Sequence, residues 1–66
     1  MNIPKLKGKM AEKEINVESL AVAIGVDRST LYRKLDAGEK FTIGEAQRIK
    51  DFLELSDDDA ASIFFG

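Results

Sequence analysis

This sequence predicts an all-α domain of five short helices, and three observations predict it. Apolar residues recur three and four apart in each segment between breakers; no segment alternates as a strand would; and four segments begin just after a residue that can cap a helix. The 66 residues also show no internal repeat and no low-complexity linker, so 1–66 reads as one small domain, too short for a separate catalytic or effector unit.

Helix 1 is expected from about Pro4 to Glu14. Proline suits a first helical turn, where its missing N–H is not needed. Leu6 and Met10, four apart, face inward while Lys5, Lys7, Lys9 and Lys13 stay wet, and Gly8 weakens the helix by about 1 kcal/mol relative to alanine. Ile15 begins a connector, and Asn16 caps helix 2, expected from about Val17 to Ile24 with Leu20, Ala21 and Ile24 inward. Gly25 interrupts that pattern and can take the positive φ of a tight turn. Replacing it with a β-branched residue is expected to cost more than about 1 kcal/mol. Asp27 then caps helix 3, about Arg28 to Leu35, with Leu31 and Leu35 inward and Gly38 as the left-handed stop.

The run Thr42-Ile43-Gly44-Glu45 fits a capping box, in which the threonine hydroxyl and the glutamate carboxylate satisfy backbone donors reciprocally. Helix 4 follows to about Leu53 or Glu54, with Ala46, Ile49, Phe52 and Leu53 inward. Ser56 and the three aspartates after it open helix 5, since acids in a first turn complement the helix dipole. Ala60, Ile63 and Phe64 then turn to the core, leaving Phe65 as one apolar residue more than a small core needs.

Composition removes several function classes. Cysteine and histidine are absent, so no disulfide, thiolate metal site or histidine general base is expected; nor is any cofactor or metal. The three consecutive aspartates are explained by the helix start and call for no cation. No phosphate-binding loop is present, and a chain this small has no room for a buried cleft, so an enzyme is not expected. At 44% hydrophobic and 33% charged, the chain reads as globular rather than disordered. Its longest apolar runs are too short to span a membrane, and no apolar stretch follows the lysines of MNIPKLKGK, so a cytoplasmic location is expected. The net charge of −2 hides an asymmetry. All ten basic residues lie within 1–50 against seven acids, whereas the last sixteen residues carry five acids and no base. The acidic end is expected to face away from any nucleic acid, whose phosphates would repel it.

Residues 17–36, VESLAVAIGVDRSTLYRKLD, read as a helix-turn-helix, two short helices crossing at a steep angle about Gly25. Its second helix is left with polar and basic residues on its outer side, as a helix entering a DNA major groove requires. With these residues in place, the chain resembles the lambda-repressor-like, Cro/C1-type (Xre) helix-turn-helix family over about residues 5–64. The match lies in Leu20, Ala21, Ile24, Gly25, Val26, Ser29, Leu31 and Gly38, and the later FTIGEAQRIKDFLELSDDDAASIFF looks like the fourth and fifth helices of small phage repressor or Cro-like proteins. The resemblance implies a lambda-repressor-like fold, helix 3 in the major groove, helix 2 across the backbone, and symmetric dimers on palindromic operators. It also implies a transcriptional regulator, a repressor of phage or prophage type, in a bacterial cytoplasm or nucleoid. One position departs from the pattern: Val17 stands where family members often have a phosphate-anchoring glutamine, which leaves that contact to Asn16 or to the amino end of helix 2.

With Leu31 and Leu35 inward, Arg28, Ser29, Tyr32 and Arg33 occupy the outward stripe and are the candidate base contacts. Arginine pairs bidentately with guanine, discriminating by about 1–3 kcal/mol against a wrong base. Serine is small and can accept or donate, and Tyr32 either meets DNA or packs over the corner between helices 3 and 4. Lys9, Asn16, Thr30, Lys34 and Lys40 are the candidate backbone contacts, which position a domain without reading sequence. Ile63, Phe64 and Phe65 either form a dimer surface or complete the core. A different role on the same fold, a protein-interaction module such as an antitoxin or antirepressor subunit, is the alternative; the net acidity and Val17 favour it.

Overall fold

Helix formation begins one residue before the proline. In the computed structural model, which describes residues 1–65, α1 spans Ile3–Glu12, with Asn2 as its cap accepting from the Lys5 N–H and Pro4 in the first turn. Four further helices follow: α2 at Val17–Ile24, α3 at Arg28–Ala37, α4 at Ile43–Phe52 and α5 at Asp57–Phe64. No strand occurs among the described residues. The expected caps are all present. Asn16, Asp27, Thr42 and Ser56 accept from backbone N–H groups of α2, α3, α4 and α5, and the Thr42–Glu45 capping box closes in both directions.

The helix ends follow two chemistries. Gly25 and Gly38 stop α2 and α3 with φ of 73° and 67°, the left-handed geometry that glycine adopts without strain. Helices α1 and α4 make the same turn with a glutamate: Glu14 has φ 56° and Glu54 φ 52°. Each closes a Schellman pair, Ile15 N–H to the Met10 carbonyl and Leu55 N–H to the Lys50 carbonyl, and each leads directly into the next N-cap. A left-handed glutamate leaves no glycine to read, which is why the expected end of helix 1 runs two residues too far.

Packing pairs α2 with both α3 and α4, while α1 lies along α5. Leu6, Leu20, Ile24, Leu31, Ile49, Leu53 and Ile63 are fully buried, joined by Ile3, Met10, Ala21, Leu35, Leu55 and Ala60. Phe52, expected inward, is 42% exposed. Ile49 and Leu53 centre the buried stripe of α4, and Phe52 falls on its margin. Leu55, outside any expected helix, is buried instead as the apolar residue of the Glu54 corner. Ile63 completes the core and offers no surface to a partner; Phe64 is half-buried with its ring edge-on to Phe41, and Phe65 alone of the three stands exposed.

Polar ties fix what the core leaves free. The Asn2 N–H donates to the Ile63 carbonyl at 2.7 Å, joining the start of α1 to the end of α5. Asp59 pairs with Lys5 and Lys9 at 3.3 and 3.1 Å, and Asp57 with Lys50 at 2.6 Å. The acidic start of α5 therefore answers lysines of α1 and α4.

Two outcomes are expected. Glu54→Gly relieves a left-handed side chain and should stabilise the domain by about 1 kcal/mol, raising Tm by roughly 4–8 °C in thermal unfolding. The Thr42 backbone N–H bonded to Glu45 holds that carboxylate below its usual range, against some desolvation and with help from Lys34. A depressed carboxylate contributes stability that is complete above its unfolded pKa and lost as pH falls through the lower folded one. Acid titration of Tm should thus show less acid loss for Glu45→Gln than for the parent chain.

Candidate nucleic-acid interface

Burial of Leu31 and Leu35 fixes the rotation of α3 about its own axis. With those two inward, Arg28, Ser29, Tyr32, Arg33 and Asp36 are exposed on one side of the helix, and Thr30 and Lys34 lie half-buried at its margins. The four candidate base contacts are therefore brought together on one surface. Asp27, immediately before them, accepts from the Ser29 N–H at 3.0 Å and also from the Ser29 hydroxyl. Those bonds from Ser29, its hydroxyl first, hold the Asp27 carboxyl below the ordinary aspartate range. They also commit the Ser29 proton to Asp27, so the hydroxyl is left to act as an acceptor.

Each arginine on this surface carries an acid. Arg28 Nη1 lies 3.2 Å from Glu18 Oε1, reaching from α3 to the first turn of α2. Arg33 Nη1 lies 3.4 Å from Glu39 Oε2, in the loop after α3. Both contacts are solvent-exposed. No periodicity in the sequence links positions ten or six residues apart across a turn, and neither glutamate was legible as a partner.

The candidate phosphate contacts divide. Lys40 is exposed, in the loop between α3 and α4, and has no ion-pair partner among the described residues. Asn16 stands at the amino end of α2 with its side-chain oxygen capping the Ser19 N–H, which leaves its NH₂ to donate. Lys34 is instead turned into the protein. Its side chain is 15% exposed, and its ammonium meets Glu45 at 3.4 Å, donates to the Lys40 carbonyl at 3.2 Å and sits 5.5 Å from the centre of the Phe41 ring. It locks α3 to the following loop and to the capping box of α4. Lys9 likewise faces Asp59 and Glu12, which raise its pKa by hydrogen bonding and charge, on the side where α1 meets α5.

Tyr32 is 47% exposed and its ring borders an open groove of about 290 Å³ between α1, α2 and α3. Lys7, Asn16, Val17 and Asp36 also line that groove. The ring thus leans toward the amino end of α2, away from the corner between α3 and α4. Val17 packs partly against the core, so the position of the missing glutamine is filled by an apolar support. Arg48, to which sequence reading gave no role, donates from Nη1 to the Ile24 carbonyl at 3.3 Å and ties α4 to the last turn of α2 beside Gly25. No group of acids that could hold a metal ion occurs among the described residues.

The sequence pattern of the Cro/C1-type HTH DNA-binding domain matches residues 5–63, and the chain belongs to that family. No curated protein and no solved structure matches it.

Two arginines should separate by role. Arg48→Ala removes a charged donor from a helix-end carbonyl and is expected to lower stability by about 1 kcal/mol. Arg33→Ala removes only an exposed ion pair and should leave Tm within a few degrees while relaxing preference at one position of a selected binding site. Thermal unfolding and site selection on both variants check the pair.

Proposed function

We propose that this domain is a sequence-specific transcriptional regulator that binds palindromic operator DNA as a homodimer, with α3 in the major groove. The observation that carries the reading is the single exposed stripe of Arg28, Ser29, Tyr32 and Arg33 on the second helix of the turn, in a chain of this DNA-binding family. The two arginines sit more than one turn apart and would each present a guanidinium edge to guanine O6 and N7. Ser29, its hydroxyl donating to Asp27, would accept from an exocyclic amino group of cytosine or adenine. Asn16, Thr30 and Lys40 would hold the sugar-phosphate chain. Lys34 and Lys9 would contribute through the fold rather than by touching DNA.

Repression in this reading is occlusion, the bound domain excluding polymerase from the operator, in the manner expected of a phage or prophage regulator in a bacterial cytoplasm or nucleoid. One recognition helix spans about four or five base pairs, so useful discrimination calls for two half-sites and a two-fold dimer. Exposed apolar surface supports such a dimer. Phe65 and Ile43 are each 86% exposed and, with Met1, Phe41 and Phe64, line an open groove of about 290 Å³ at the end of α5 and start of α4. In this reading the dimer contact would be made by Phe65 and Ile43, since Ile63 is buried.

The interaction-module alternative is favoured by one observation, the acid held against each arginine of the stripe. The two readings part on salt. An operator binder selected from randomised duplex should yield a palindrome whose log affinity falls with log salt by about 0.9 per phosphate contacted. A chain that enriches no sequence and binds duplex without that slope belongs to the alternative. Phe65→Ser should shift sedimentation of the free protein, or its cooperativity on the palindrome, toward monomer. Unchanged association would remove that residue from the interface.

A further inference from the structure

The two ion pairs on the reading face are poorly explained by stability. Exposed pairs between long side chains contribute little to folding, and both of these stand in solvent: the Arg28 and Glu18 side chains are 67% and 62% exposed. Their placement is more informative than their strength. Each arginine of α3 has one acid, and the acids come from the two elements that flank the helix, α2 on one side and the following loop on the other. Both contacts engage Nη1, which leaves the Nη2 and Nε donors of each guanidinium available for an acceptor pair. The stretch 17–40 as a whole carries four acids and four bases, so the helix-turn-helix and the loop after it have no net positive charge.

We propose that Glu18 and Glu39 are specificity-determining positioning residues: they hold Arg28 and Arg33 at the edges of α3 and keep both from spending their charge on phosphates. This inference rests on the operator-binding reading above. Non-specific binding to duplex is carried almost wholly by cations on phosphates, so a guanidinium already neutralised by a carboxylate gains little there, and the carboxylate is itself repelled by the backbone. At an operator the free edge of the same guanidinium meets guanine O6 and N7, a contact that random sequence does not offer at the right place. The glutamates therefore lower affinity for the wrong DNA more than for the right DNA, which raises selectivity by penalising the competitor.

The test compares the full chain with Glu18→Gln, Glu39→Gln and the double variant, each titrated with a selected operator and with random duplex over a range of salt. Asp58→Asn, on the exposed start of α5, removes one negative charge away from α3 and is the control. Each glutamine variant is expected to bind random duplex about three- to ten-fold more tightly, with its log–log salt slope steeper by about one phosphate contact. Operator affinity should rise by less than half that factor, so the ratio of operator to random binding falls, further in the double variant. Equal gains on both duplexes, no gain on either, or an equal loss of selectivity in Asp58→Asn would overturn the proposal. Failure of the parent chain to bind any duplex would instead remove the operator reading, and this inference with it.

Discussion

Which residues of α3 face outward is settled by the two that cannot. Leu31 and Leu35 lie four apart, both buried, and their contact with the rest of the core fixes the rotation of the helix. Rotating that helix by a single residue position, about 100°, would turn Tyr32 and Asp36, or Thr30 and Lys34, toward the core and carry the leucines out of it. In a 66-residue chain such a helix is held by few contacts, so the polar ties of Lys34 to Glu45 and Lys40 matter beyond their size. They keep the carboxyl end of α3 against the capping box of α4, and the box in turn fixes where α4 begins.

The turn before α3 is supported in a similar way from a distance. Gly25 supplies the conformation, Ala21 permits close approach, and Arg48 of α4 satisfies the Ile24 carbonyl at the end of α2. A helix end of this kind presents unpaired carbonyls to solvent or to a cation. Here a side chain from a third helix occupies one of them, so the angle between α2 and α3 is coupled to the packing of α4.

Charge is distributed by the same logic of local partners. The aspartates of α5 are matched to lysines of α1 and α4, and the glutamates beside α3 are matched to its arginines. A net charge of −2 is therefore a poor guide to the reading face, because much of the charge is neutralised pairwise before any partner arrives. Attraction to DNA in the proposed function would come from a few cations, Lys40 among them, and from the amino ends of the helices.

The sequence by itself determined the helix count, the caps, the glycine stops and the outward stripe, because each depends on residues within about one helical turn of one another. Asn16, Asp27, Thr42 and Ser56 announce helix starts by local hydrogen bonding, and the spacing of Leu31 and Leu35 already implies the stripe. The glutamate corners at Glu14 and Glu54 were not legible, since the tertiary pull of Ile15 and Leu55 into the core imposes there a backbone that the side chain itself disfavours. Only the folded chain decided that Ile63 is core while Phe65 is surface, that Lys9 and Lys34 are held within the protein, and that Glu18 and Glu39 stand against the arginines. Those outcomes turn on which helices meet, and a side chain of four or five rotatable bonds goes to whatever charge the neighbouring element brings within its reach.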